Sequence, residues 1–372
     1  MMHNILTTNQ EQSDYDRIIF KYANQISQKS LKIMNDKYLT NINFVKFLNV
    51  HKLELENCKN LIPKLHSSTI TELSILQFNI QNIQDFELEN LEVLTLISKQ
   101  FINEQSLIND IVKFKKLNEL NIRGYQFDTK PLSNMKSITY LTLDTCQLQN
   151  TQDLMLKSLL ELYLDFNTGI DITSLQHLNQ LTNLSLNYCD LANLDSIRSL
   201  INLNQLDISG NENIDITSIQ YLTKLQTLSL ASCGLIAIDA LQPVNLVDLN
   251  IQQNHIVYIQ PIIELKLLSM LNARYNTIID ISDIQPHRNF NKFKINAQQQ
   301  PQKEIIITAN ILRSINKPIR QIRQIYNQYN LMNITFRQKI AQCISNCQEY
   351  QLKLFSQVSL LFQRQTAFES DQ

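Results

Sequence analysis

Residues 159–211 read LLELYLDFNTGIDITSLQHLNQLTNLSLNYCDLANLDSIRSLINLNQLDISGN, and one phrase recurs in them: L-x-x-L-x-L-x-x-N/C, beginning at Leu159, Leu181 and Leu203. Within each copy the first, fourth and sixth positions are apolar and the residues between them are mostly polar. That period of two is the mark of a short strand with one buried face. An amphipathic helix would need a period of 3.6 through the same phrase, which is absent.

Moving outward, further clear copies start at Leu225, Leu246 and Leu268, and weaker ones at Val50, Ile70, Leu91, Leu117 and Ile138. Self-similarity at a spacing of mostly 21 or 22 residues makes the chain an array of eleven units. After the ninth position come apolar residues at roughly three-residue spacing, such as Leu194, Ile197 and Leu200, or Ile216, Ile219 and Leu222. This spacing suits a helical or 3₁₀ return segment. A single unit cannot bury its apolar side, whereas stacked units share one continuous core.

The ninth position carries Cys58, Cys146, Asn167, Cys189, Asn211, Cys233, Asn254 or Asn276. A polar side chain turned inward there can satisfy backbone groups left unpaired where a strand ends. Four of the six cysteines are therefore expected as buried ladder residues without disulfides.

Taken together, residues 50–290 resemble the leucine-rich repeat superfamily, and in particular its short-repeat class, typified by the leucine-rich regulatory subunit of a protein phosphatase. LDSIRSL, IDITSIQYL and IIDISDI match that class after the ninth position, and HRNFNKF is similar to its C-terminal cap. The phrase NCKNLIPKL and the Asn/Gln-rich repeats are also similar to leucine-rich repeat families of diplomonad-type protists. The resemblance implies an α/β solenoid, a horseshoe with a parallel concave sheet, flanked by an N-terminal helical cap and a C-terminal helical tail. The expected domains are a cap over residues 1–49, the solenoid over 50–290, and a cap and tail over 291–372.

In the first of these, Ile18, Ile19, Tyr22, Ala23 and Ile26 recur at helical spacing behind Ser13 as a candidate N-cap. LKIMN and NFVKFLNV then read as an imperfect first turn of the array. At the other end, NAQQQPQ makes a hinge, and Phe336, Ile340, Cys343, Cys347, Tyr350, Leu354, Val358 and Leu361 form a heptad-like seam. Packing on the last repeats, closing a hairpin with residues 303–330 and pairing with another chain all remain open for it. Residues 302–372 hold nine Lys/Arg and four Asp/Glu, a net +5, which leaves −6 on the rest.

Composition excludes several function classes. Lys+Arg total 33 against Asp+Glu 34, so no global excess points to nucleic acid. With only 4 glycines, none paired at nucleotide-motif spacing, a phosphate-cradling loop is not expected. The N-terminal residues lack the basic and apolar pattern of a secretory signal, and no run approaches about 18 apolar residues, so a cytoplasmic protein without a membrane span is expected.

Catalysis lacks its parts. Cys343 and Cys347 stand one helical turn apart without accompanying metal ligands. Some bacterial leucine-rich repeat effectors carry a catalytic cysteine in a C-terminal ubiquitin-ligase domain, but here the cysteines sit on an apolar stripe and the tail is short for such a domain. The histidines at positions 3, 51, 66, 177, 255 and 287 are scattered over different repeats and turns. No catalytic residue, metal or cofactor is assigned.

Binding is the better expectation, because the inter-leucine positions face the concave surface. They carry Glu54, Glu56, Glu72, Glu92, Glu119, Asp144, Glu161, Asp165, Asp207 and Asp248 against Lys52, Arg123 and Arg274. An acidic face disfavours nucleic acid and favours a protein partner with a basic or mixed-charge segment. Tyr140, Tyr163, Phe166 and Tyr188, bordered by Asp144, Asp165 and Asp207, form the candidate hot spot. The competing expectation is a structural or assembly role, with oligomerisation through the tail seam.

Overall fold

A computed structural model describes residues 29–36, 41–58, 61, 64–77, 83, 85–104, 107–241, 245–278 and the backbone of 292–294. The expected N-terminal helix, the hinge and the tail seam lie outside the described residues.

Strands β1 (Ser30–Met34), β2 (Lys52–Glu56), β3 (Leu65–Ser67), β4 (Glu72–Leu76) and β5 (Phe86–Leu88) come first. Two longer ones follow, β6 (Val93–Asn103) and β7 (Glu119–Gln126), then β8 (Tyr140–Asp144). The remainder are three residues each: β9 (Glu161–Tyr163), β10 (Asn183–Ser185), β11 (Gln205–Asp207), β12 (Thr227–Ser229), β13 (Asp248–Asn250), β14 (Met270–Asn272) and β15 (Lys292–Lys294). All but β3 and β5 join one sheet of 13 strands in chain order, every neighbour parallel. Parallel order follows from the repeat itself, since each unit returns the chain to the same side before the next strand begins.

Register places the fourth position of every copy in one row: Leu162 pairs with Leu184, Leu184 with Leu206, and Leu206 with Leu228. The eleven copies occupy β2, β4 and β6–β14. The sheet goes one strand further at each end, with β1 inside the segment assigned to the N-terminal cap and β15 inside the one assigned to the C-terminal cap.

Alternation then sorts the side chains. Leu181, Leu184 and Leu186 are buried, as are the return residues Leu194, Ile197 and Leu200. Burying one such leucine stabilises the fold by about 1.5–3 kcal/mol, so the shared core is the main source of stability.

The return segments differ along the chain. In the later repeats they are 3₁₀ turns at Thr173–His177, Asp195–Ile197 and Thr217–Tyr221. A side chain two residues upstream starts each: Asp171 Oδ1 accepts from Thr173 N at 2.9 Å, Asn193 Oδ1 from Asp195 N at 3.1 Å, and Asp215 Oδ1 from Thr217 N at 2.9 Å. In the early repeats the return holds β3 and β5 paired in parallel in place of a helical or 3₁₀ turn. Leu65, Ser67, Phe86 and Leu88 point inward there with His66 and Glu87 outward, so alternation of period two replaced the three-residue spacing.

Among the described residues, no helix is long and apolar enough to cross a membrane.

Candidate protein-binding face of the sheet

The third, fifth and seventh positions of each copy project from the face opposite the leucines. The eighth has another conformation. Thr145, Phe166, Tyr188, Gly210, Ser232, Gln253 and Tyr275 all have positive φ, between 53° and 74°. From β8 to β14 each unit therefore has a left-handed residue just beyond its strand, an uncommon state for bulky side chains.

The ninth side chain then turns inward. Asn211 is fully buried; its Oδ1 accepts from Cys189 N (3.1 Å) and Leu191 N (3.0 Å), and its Nδ2 donates to Leu186 O (2.8 Å) and Ile208 O (2.7 Å). Asn167 and Asn254 do the same two units earlier and two units later. Cys58, Cys146, Cys189 and Cys233 are free and buried. Cys189 Sγ donates to Leu164 O at 3.2 Å. Burial pushes the thiols of Cys146 and Cys189 up to about 12 and that of Cys233 to about 11, which removes nucleophilic character.

The four aromatic residues form two pairs. Tyr140 and Tyr163 are diagonal neighbours on β8 and β9, half-buried, with ring centroids 5.2 Å apart and planes at 36°. Phe166 and Tyr188, both left-handed eighth residues, stack with centroids 5.1 Å apart and planes at 4°. They are 53% and 48% exposed, a continuous aromatic surface beyond the strand ends. Gly210 completes this second pair, because a Cβ there would lie 2.4 Å from Tyr188 Cδ1. The sequence reading missed Gly210; its signal was a glycine at the eighth position where neighbouring copies carry larger residues.

The acidic residues proved less uniform than the sequence suggested. Asp144 is buried and is not a free rim charge: its Oδ1 accepts from Asp165 N at 3.0 Å and its Oδ2 is 3.3 Å from Arg123 Nε. Burial, then the charge of Asp165, raises its pKa to about 6 against the opposing effect of Arg123. Asp165 Oδ1 accepts from Ser185 Oγ (2.6 Å) and Asn187 N (2.9 Å), and Asp207 Oδ1 from Ser209 Oγ (2.6 Å) and Ser209 N (3.1 Å). Asp144 and Asp165 tie neighbouring strand ends together, while Asp207 closes the turn of its own strand.

Toward β1 the acids are paired with lysines. Lys32 bonds Glu54 and lies 3.1 Å from Glu56, and Lys52 lies 2.8 Å from Glu72. Lys32 belongs to β1, which the eleven-copy reading left outside the face. Glu119 has a raised pKa, first from desolvation and then from the like charges of Glu72 and Glu161, with Lys52 opposing. Tyr163 donates its hydroxyl to Glu161 Oε2 at 2.8 Å, and burial followed by that bond moves its pKa to about 12.

Among the described residues, no group of His, Cys, Asp and Glu is placed to hold a metal ion.

No family model matches the chain, and no curated protein does. Solved structures do. An internalin of Listeria monocytogenes (inlF) is 20% identical with a TM-score of 0.55, over 73% of this chain and 87% of that one. The functional domain of InlJ from the same organism is 20% identical with a TM-score of 0.49, covering 72% of this chain and 53% of that one. A leucine-rich repeat protein of Leptospira interrogans is 23% identical with a TM-score of 0.47, over 66% of this chain and 77% of that one. At 20% identity the likeness to the inlF structure concerns architecture, and with the parallel ladder of L-x-x-L-x-L strands it gives this chain the leucine-rich repeat fold.

Proposed function

We propose that this chain is a non-catalytic, cytoplasmic protein-binding scaffold that presents the outer face of β7–β11 to a basic or mixed-charge segment of another protein. The observation that carries this reading is the exposed Phe166–Tyr188 stack beside Tyr140–Tyr163 on a face that the hydrophobic core does not use. Large aromatic side chains held rigid and partly open to water are the commonest anchors of protein interfaces. Asp165 and Asp207 contribute negative potential that steers a basic partner, while Asp144 holds the strand ends beneath them. The period of 21–22 residues supports the short-repeat class. Cap and tail domains over 1–49 and 291–372, and a relation to the protist families, are parts of the same reading.

The test is chemical cross-linking of the full chain to its partner, followed by affinity measurement with three variants. Tyr163→Ala with Phe166→Ala should weaken binding by about 2 kcal/mol or more. Asp165→Asn should slow association and flatten its salt dependence. An affinity indifferent to the aromatic variants but abolished by deleting residues 302–372 would transfer the function to the tail, and with it the assembly role.

A further inference from the structure

Third-position residues make one row across the outer face, and register fixes its order as Glu72, Val93, Glu119, Tyr140, Glu161 and Asn183. Neighbouring strands are about 4.8 Å apart, so Glu119 and Glu161 flank Tyr140 one strand to either side. Tyr163 reaches back to this row, since its hydroxyl bonds Glu161 and its ring lies 5.2 Å from that of Tyr140. The two rings are tilted by 36° rather than stacked flat, unlike Phe166 and Tyr188 at 4°.

Two further observations point to an occupant. Thr142 pairs with Tyr163 in register and, by alternation with Leu141 and Leu143, belongs to the same face as both tyrosines. It is nevertheless fully buried, and its Oγ1 has no hydrogen-bond partner among the described residues. The second is the charge pattern: Lys32 and Lys52 are taken by Glu54, Glu56 and Glu72, and Arg123 by Asp144. Among the described residues, neither Glu119 nor Glu161 has an ion-pair partner.

We propose that the Tyr140–Tyr163 pair, between Glu119 and Glu161, receives an arginine side chain of a bound polypeptide. A guanidinium is planar and can lie on a tyrosine face while its outward N–H groups reach carboxylates at its edges; an ammonium offers neither the flat surface nor the fork. The same geometry already occurs within the chain, where Arg198 lies 4.5 Å over the ring of Tyr221. This assignment rests on the reading of the face as a binder of basic segments and names the group it recognises.

The test uses the full chain and three fluorescein-labelled dodecapeptides, alternating Gly/Arg, Gly/Lys and Gly/Gln, followed by fluorescence anisotropy at physiological ionic strength. The Gly/Arg peptide should bind, the Gly/Lys peptide several-fold more weakly, and the Gly/Gln peptide not at all. Glu119→Gln with Glu161→Gln, and separately Tyr140→Leu, should each weaken the Gly/Arg peptide by about tenfold or more. Circular dichroism of each variant checks that the fold persists, and the isosteric glutamines keep the test valid if Tyr140→Leu misfolds. Equal affinity for the Gly/Arg and Gly/Lys peptides would overturn the assignment of arginine. Binding that survives both changes but is lost with Phe166→Ala would overturn the Tyr140 site and leave the wider reading standing. Failure of both basic peptides to bind would overturn both.

Discussion

The repeats of β6 and β7 and those of β9–β14 obey the same leucine pattern but end their strands differently. β6 and β7 run for 11 and 8 residues, with pairing that skips a bulge and resumes at Ile102 with Tyr125 and Asn103 with Gln126. From β9 to β14 every strand stops after 3 residues. The difference lies at the ninth position. In the later repeats backbone bonds still link neighbouring units through the eighth position, as Leu186 N to Asp207 O and Tyr188 N to Ser209 O, and beyond it an asparagine, the unit's own or the next one's, serves the backbone, as Asn211 does with four groups. Lys99 and Tyr125 hold that position in β6 and β7, and the backbone there pairs with itself instead. Gly124 permits this close approach, since a Cβ on it would lie 2.8 Å from Ser98 O. The ninth side chain thus decides what the backbone beyond the eighth position bonds to.

If that is correct, removing a ladder amide should be the most damaging of the changes considered. Asn211→Ala leaves Cys189 N, Leu191 N, Leu186 O and Ile208 O inside the protein without their side-chain partner. The expected loss is about 3–5 kcal/mol, read as a lower urea midpoint. A loss under about 1 kcal/mol would mean that the backbone beyond the eighth position re-pairs without the amide, as it does in β6–β7.

Asp144 stands at the junction of the two regions, joined to Arg123 on β7 and to the backbone of Asp165 just beyond β9. Its folded pKa, about 6, exceeds the ordinary 3.8, so the folded state holds the proton more tightly than the unfolded one. Its contribution is therefore present below about pH 4 and lost as the pH rises through about 6, on the order of 1–3 kcal/mol. Asp144→Asn should remove that slope and leave the protein about 1–2 kcal/mol more stable than the parent at pH 7. Urea unfolding at pH 4.5 and pH 7 measures both, and an unchanged slope in the variant would assign the titration elsewhere.

Gly210→Ala probes the left-handed eighth position within the regular repeats. Its φ of +74° disfavours any Cβ, and the added methyl must also displace the Tyr188 ring from the Phe166 stack. A loss of about 1–2 kcal/mol is expected, together with a changed near-ultraviolet circular dichroism. In a Tyr188→Ala background the backbone cost of about 1 kcal/mol should remain and the ring displacement should vanish.

How much of this was legible beforehand depends on the range of the interaction. The leucine rows, the eleven units and the inward Asn/Cys ladder follow from spacing, because each copy repeats the same local problem of burial. The face of Tyr140 and Tyr163 follows from alternation alone. Phe166 and Tyr188 were read as strand residues of that face, yet they sit in left-handed turns, which composition signals only where the residue is glycine. Alternation predicts Asp144 as a surface charge because it gives direction but not cover; Arg123 comes to it from β7 and the Asp165 backbone from just beyond β9. The β3–β5 pairing was hidden for a similar reason, since three residues are too few to distinguish a strand from a 3₁₀ turn.

The smallest expected effect sharpens the comparison most, because its sign differs between the two regions. Tyr125 occupies the ninth position in β7, is fully buried, and its hydroxyl has no hydrogen-bond partner among the described residues. Desolvation raises its pKa to about 12. Losing a ladder amide strands the backbone groups it served, whereas losing this hydroxyl strands nothing and removes the cost of keeping a polar atom out of water. Tyr125→Phe preserves the ring that fills the core and should be neutral or stabilising by up to about 1 kcal/mol in urea unfolding. A loss comparable to that of Asn211→Ala would show that the hydroxyl serves the backbone as the amides do. The ninth positions of the two regions would then serve the backbone alike.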